Sequence, residues 1–240
     1  MRSYAWHGRF ELCDFPGAPF DVADSWRHSC GRVNGLDLHL ERFSRAAGPL
    51  PAGFVDEMLG LLGEGELFPR IALSQGLLLL DVRSAPSPRH QTHLTYAQAP
   101  DPRTQPEVKG PDFGALRAYR NLHQLEGTDD TAIVDERGAM LETTTGALVA
   151  WDGDTLCIPD GVWLPSVTLH QVTSRARELG LRVERRLLTP EFAAERPLWF
   201  LNSLHGISPV SQLHVGPDVA TPPAHPDAEG WRNWWWAGFS

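Results

Sequence analysis

The chain has 240 residues, a formal net charge of −9 at pH 7 and a pI of about 5.5. That acidic balance argues against a nucleic-acid partner, because phosphate recognition needs a basic face. At 42% hydrophobic and 21% charged residues the composition is that of an ordinary globular chain, enough for one large domain or two small ones.

The first ten residues carry Arg2, His7 and Arg9 and no apolar stretch of signal length. Cys13 and Cys30 follow, with Cys157 far downstream; no C-x-x-C pattern joins them, and they read as reduced thiols. Arg32 to Leu36 reads as a strand with a turn. Leu38 to Ala47 then reads as a helix, with Leu38, Leu40, Phe43 and Ala47 recurring among polar residues. Phe54 to Leu62 reads as a second helix. Arg70 to Ser74 and Leu77 to Val82 read as a hairpin turning at Gln75-Gly76. Within it, Leu77 to Leu80 is the longest aliphatic run and is far too short to span a bilayer. A cytoplasmic protein with no membrane partner is therefore expected.

His93 to Tyr96 reads as one more strand. The segment 97–106 contains Pro100, Pro102 and Pro106 and few apolar side chains, so the boundary is expected there. The division is an N-terminal domain over 1–98, a linker over 99–107 and a C-terminal domain over 108–240. After Val108-Lys109-Gly110 the spacing of Phe113, Leu116, Tyr119, Leu122 and Leu125 predicts a helix from about Asp112 to Leu125, with Gly127 as its cap. Thr131 to Val134 and Ala139 to Thr143 form a hairpin around Asp135 to Gly138. Leu148 to Trp151 and Thr155 to Ile158 form another around Asp152-Gly153. Ser166 is a good N-cap for a helix over Val167 to Leu179, which Gly180 stops. Leu181 to Arg185 reads as a strand, and Pro197 to Asn202 and Ile207 to Val210 as two more. In the tail, Trp231, Trp234, Trp235 and Trp236 lie close to helical spacing and are expected to dock on the body of the protein or on a partner subunit.

No dinucleotide-binding, Walker A, nucleophile-elbow or H-E-x-x-H motif is present. His90 and His93 lie in a polar, proline-flanked stretch that reads as surface loop, so no metal site is expected. Of the 21 basic side chains, a single one, Lys109, is lysine. Arginine replaces lysine on a solvated surface but not where a neutral primary amine must attack a carbonyl. A leftover surface lysine is the other reading of the same fact.

Lys109 and Glu142 stand 33 positions apart, separated by a helix and the hairpin Gly127-Thr128-Asp129-Asp130-Thr131-Ala132-Ile133-Val134-Asp135 with Gly138. With that interval the chain resembles the class IV aminotransferases and the related aminodeoxychorismate lyases. Leu38-His39-Leu40-Glu41-Arg42-Phe43, Leu164-Pro165-Ser166-Val167-Thr168 and Asn202-Ser203-Leu204-His205-Gly206-Ile207-Ser208-Pro209-Val210 extend the likeness, in the family's order, over nearly the whole chain.

The resemblance implies an α/β (α+β) fold of type IV pyridoxal-phosphate enzymes, D-amino acid aminotransferase-like. A small N-terminal α/β domain and a larger C-terminal barrel-like α/β domain would hold the active site between them, usually in a homodimer. The implied cofactor is pyridoxal 5'-phosphate, carried as a Schiff base by Lys109, which would also be the catalytic base. A free lysine is only about 0.04% neutral at pH 7, so the site must lower its pKa. Glu142 would face the pyridine nitrogen. Arg42, Val167, Thr168 and Ser203 would bind the phosphate, Val167 and Thr168 through the N-terminus of their helix. Three departures stand out. Ala147 replaces the usual Asn, Ser166 and Leu169 replace Gly and Arg, and Phe113-Gly114 occupy the region where branched-chain enzymes place a Tyr. The expected activity is transamination of an amino acid and 2-oxo acid pair. The alternatives are aminodeoxychorismate lyase, which releases pyruvate and 4-aminobenzoate, and a non-catalytic domain that kept the fold.

Overall fold

The computed structural model describes residues 1–14 and 19–240. Its first part consists of β1 (Arg2–Trp6), β2 (Phe10–Cys13), β3 (Val22–Ser25), β4 (His28–Ser29), β5 (Arg32–Val33), α1 (Leu36–Ala47), α2 (Phe54–Leu62), β6 (Arg70–Ser74) and β7 (Leu77–Val82). An antiparallel sheet forms in the order β2-β1-β7-β6-β3. The β6–β7 hairpin turns tightly because Gln75 and Gly76 both take positive φ, 52° and 79°, a turn that matches the twist of the strands. One face of the sheet buries Phe43 of α1 and Phe54 and Met58 of α2 against Tyr4, Ile71 and Leu80.

The second part consists of β8 (Thr92–Tyr96), α3 (Phe113–His123), β9 (Asp130–Val134), β10 (Met140–Thr143), β11 (Ala147–Asp152), β12 (Thr155–Pro159), α4 (Val167–Glu178), β13 (Arg182–Arg186), α5 (Pro190–Ala194), β14 (Leu198–Asn202), β15 (Gly206–Val215), β16 (Asp218–Ala220) and α6 (Ala228–Ala237). The sheet runs β10-β9-β8-β15-β14-β11-β12-β13, with β16 on β15. Glu142 of β10 also pairs with Ala147 of β11, so the strands from β10 round to β11 close into a barrel. Alternation builds two cores from the same strands. Leu148, Ala150, Leu198 and Phe200 belong to one cluster, with Leu94, Ala132 and Met140. Val149, Trp151, Trp199 and Leu201 belong to the other, beneath Leu169, Val172 and Ala176 of α4 and Trp231 and Trp235 of α6. Both faces are covered, which is why these strands read as continuous apolar runs.

The mixed α/β architecture with a barrel-like sheet is the expected one. The chain passes from one sheet to the other between Val82 and Thr92, so the proline-rich segment runs on after the second sheet has begun. α3 is shorter than the sequence suggests. It ends at His123 because Gln124 is extended, at φ −68° and ψ 124°, and Gly127 lies beyond in a separate turn. Leu125, beyond the helix end, is exposed, and Leu122 on the last turn of α3 also faces outward. The tryptophan stripe docks on the protein's own body: Trp231 and Trp235 are buried, and the Gly206 backbone approaches Trp235 so closely that a Cβ there would lie 2.4 Å from the ring. Among the described residues no helix is long and apolar enough to cross a membrane.

Candidate active site

Lys109 lies where the two sheets meet. Its carbonyl accepts a hydrogen bond from the Ala23 N–H at 2.7 Å, which ties the segment to β3. Gly110 has φ +129°, and a Cβ there would sit 2.8 Å from the Ala23 nitrogen and 2.9 Å from the Val22 carbonyl carbon. Only glycine allows that approach. The preceding residues fold back on the start of α3. Asp112 accepts from the Thr104 N–H (3.1 Å), the Thr104 hydroxyl (2.8 Å) and the Gln105 N–H (2.8 Å). The Lys109 amine thus enters a cleft with Arg42, Glu142, Ser166 and Ser203 on its walls. Burial lowers the lysine pKa to about 8; Arg42 and Arg83 push the same way, against Asp24 and Glu142.

Glu142 sits on β10 and is 6% exposed. Burial raises its pKa to about 7, against the opposing pull of Arg103. Arg103 pairs with Oε1 of Glu142, and the Leu164 N–H approaches the same oxygen at 3.4 Å. Both contacts fall on Oε1, which leaves Oε2 for another donor. Asp101 and the Val162 carbonyl hold the Arg103 guanidinium from behind. The loop after Glu142 is fixed by Asp130, which is fully buried at the start of β9. Its carboxylate accepts from the hydroxyls of Thr143, Thr144 and Thr145 and from the Thr131 and Thr145 N–H groups.

Arg42 projects from α1. Its Nε and Nη2 donate to the two oxygens of Asp24, each at 2.8 Å, and its Nη1 donates to the Pro165 carbonyl at 3.0 Å. Asp24 is fully buried on β3 and also accepts from His39 Nδ1 at 2.8 Å. Against the effect of burial, the Arg42 guanidinium and the His39 hydrogen bond hold its carboxyl well below the usual range. Pro165 leads into the Ser166 cap of α4, whose hydroxyl accepts from the Leu169 N–H at 3.3 Å. The Thr168 and Ser203 hydroxyls hydrogen-bond at 3.2 Å.

Lys109, Glu142, Arg42 and Ser203 therefore share one cleft. Thr168 is fully buried behind Ser203, and Val167 lines a neighbouring groove instead. Sequence reading missed Asp24, Arg103 and Asp130 and gave His39 no role beyond its place three residues before Arg42 in one helical motif. Asp24 reaches Arg42 and His39 only through folding. Arg103 lay inside a segment read as linker. The Thr143-Thr144-Thr145 run was a usable signal, since three adjacent hydroxyls at a strand end need a buried acceptor.

The amino-transferase class IV family model matches residues 21–213, and the chain belongs to that family of pyridoxal-phosphate-dependent enzymes. No curated protein sequence matches it. Among solved structures it is similar to a hypothetical aminotransferase from Mycobacterium tuberculosis in its PLP-bound form, at 17% identity over 99% of this chain and 98% of that one, with a TM-score of 0.78. It is also similar to the branched-chain aminotransferase of Thermoproteus uzoniensis with norvaline, at 15% identity over 98% and 93%, TM-score 0.81. The 4-amino-4-deoxychorismate lyase of Pseudomonas aeruginosa aligns at 18% identity over 97% of both chains, TM-score 0.77. At these identities the likeness establishes the fold.

Proposed function

We propose that the protein is a class IV aminotransferase-type enzyme that carries pyridoxal phosphate on Lys109 and transfers an amino group between an amino acid and a 2-oxo acid. The observation that supports this most is a half-buried lysine and a buried carboxylate, Lys109 and Glu142, on the walls of one cleft. The donor set fits the cofactor: an amine for its aldehyde, an acid for its ring nitrogen, and a cation with hydroxyls for its phosphate. Bound pyridoxal phosphate supplies an aldehyde that condenses with amines and a ring that accepts the electron pair left when a proton leaves the substrate.

The residues divide the remaining work. Lys109 would hold the cofactor's aldehyde through its amine, and that amine, when free, would be the group placed to take a proton from the substrate's Cα. Glu142 would face the ring nitrogen with Oε2, the oxygen left free, while Arg103 on Oε1 opposes the burial that raises the carboxyl pKa. Arg42 uses its remaining donors on phosphate, and the Asp24 and His39 contacts fix the direction of its planar fork. Ser203 would complete that end, with Thr168 behind it through their hydrogen bond, while Val167 faces the neighbouring groove.

The second reading is aminodeoxychorismate lyase, with the same lysine and cofactor. It is favoured by Phe113, whose ring centre lies 5.7 Å from the Lys109 amine in the region where branched-chain enzymes place a tyrosine. The purified protein is to be incubated with aminodeoxychorismate, and separately with amino acid and 2-oxo acid pairs. Amino-group exchange without release of 4-aminobenzoate supports the first reading. Release of both pyruvate and 4-aminobenzoate overturns it in favour of the second.

A further inference from the structure

Trp235 of α6 touches each of the three segments proposed to hold the cofactor phosphate. Its indole N–H donates to Gln171 Oε1 at 2.9 Å, and Gln171 stands three residues after Thr168 on α4. Its backbone carbonyl accepts from Asn34 Nδ2 at 2.6 Å, and Asn34 leads directly into α1, which carries Arg42. Its ring packs against Gly206, where a Cβ would come within 2.4 Å, and Gly206 opens β15 just past the Ser203 turn.

These segments belong to both parts of the fold, and the bonds between them close a ring. Gln171 Nε2 donates to Asn34 Oδ1 at 2.7 Å, so each side-chain amide accepts at its oxygen and donates from its nitrogen. A flipped amide would lose both of its bonds, which fixes the two side chains and the helices beside them. α1 approaches α4 here more closely than a side chain permits: a Cβ on Gly35 would sit 2.7 Å from Gln171 Nε2. The next residue, Trp236, covers the Arg27 guanidinium, which lies 5.6 Å from its ring centre. Arg27 in turn fastens the Ser203 turn, donating from its backbone N–H to the Ser203 carbonyl at 2.9 Å and from Nε to the Leu204 carbonyl at 2.8 Å.

Core packing alone does not require this arrangement. Trp151 and Trp199 lie in the same apolar cluster and bury their indole nitrogens without a hydrogen-bond partner among the described residues. Trp235 instead directs its indole N–H and its carbonyl to amides on two other segments. An anion held by donors from separate elements is bound tightly only when those elements keep a fixed register, because each donor's place is set by the element beneath it. We infer that Trp235 is a positioning residue for the phosphate end of the cleft. Through Gln171, Asn34 and Gly206 it holds α4, α1 and the Ser203 turn in the register that lets Arg42 and Ser203, with Thr168 behind it, meet one phosphate. This rests on the reading of the cleft as a pyridoxal-phosphate site.

Two variants test it: Gln171→Met, which keeps the side-chain length and removes both amide bonds, and Trp235→Phe, which removes the indole N–H. Gln171 is half-buried, so its variant folds even where Trp235→Phe does not. Each protein is titrated with pyridoxal phosphate and with pyridoxal, which has the aldehyde and no phosphate. The cofactor-free proteins are also titrated with inorganic phosphate by calorimetry. Pyridoxal phosphate and inorganic phosphate are expected to bind the variants at least about tenfold more weakly, with pyridoxal unchanged within about twofold. Unchanged phosphate binding in the folded variants overturns the proposal, as does an equal loss for pyridoxal, which marks a general loosening. The cofactor reading fails differently. A wild type that binds inorganic phosphate but develops no aldehyde band, with phosphate binding lost in the variants, defeats Lys109 and keeps Trp235. A band in wild type and variants alike, at equal affinities, defeats Trp235 alone. A wild type that binds neither ligand defeats both.

Discussion

Lys109 illustrates what a single side chain gains from its place in the fold. With a pKa of about 8, roughly a tenth of the amines are neutral at pH 7, against about 0.04% for a free lysine. Burial disfavours the charged form, so the folded pKa lies below the unfolded one and the reactive neutral fraction rises as pH rises towards 8. Cofactor uptake by the cofactor-free protein should therefore accelerate about tenfold per pH unit below about pH 8 and level off above it. Stopped-flow absorbance measures this; a rate still rising at the same slope well above pH 9 would contradict the assignment. The sequence made Lys109 and Glu142 legible, because a sole lysine and a fixed interval are linear features. The partners of Arg42 were not legible in that way. Asp24 joins Arg42 and His39, which share one face of α1, only when β3 packs on that helix, and nothing in β3 announces a buried carboxylate with these partners. Arg103 was hidden for another reason: prolines suggested a loose linker, while Asp112 folds that segment onto α3.

Hairpins with tight local turns were readable from sequence, as were β8 and β13 from their apolar or alternating runs, whereas β1 and β3 were not. The β6–β7, β9–β10 and β11–β12 hairpins carry their turn residues between alternating or apolar strands. β1 is a central strand between β2 and β7, and its residues Ser3, Tyr4 and Ala5 are all buried, so it shows no alternation. β3 places Asp24 in its interior, which masks the strand signal. The β9–β10–β11 unit positions Glu142 through the Asp130 carboxylate, to which the three threonine hydroxyls turn. Asp130→Ala leaves those hydroxyls without their acceptor and should cost about 3 kcal/mol or more in urea unfolding, with weaker cofactor binding. A loss below about 1 kcal/mol would show that the loop holds its shape by other means.

The closed barrel comes from pairings that no local pattern encodes. β8 pairs in parallel with both β9 and β15, and β10 meets β11 to complete the ring. Family likeness, rather than periodicity, carried that architecture into the sequence reading. The tryptophan helix binds its own sheet, and two of its indoles, Trp234 and Trp236, remain partly accessible. A homodimer is proposed on the family's habit, with those two rings as candidates for the contact. Light scattering should give twice the chain mass at micromolar concentration, and a single-chain mass at every concentration would refute it.

The central claim is that Lys109 is the cofactor's attachment point, and the visible absorption spectrum of protein purified with pyridoxal phosphate tests it most directly, beside Lys109→Ala. The expected result is a yellow band that borohydride traps in the wild type and that the variant lacks while still folding. A wild type that stays colourless and takes up no added cofactor would contradict it, and would return the chain to the reading of a retained fold without the chemistry.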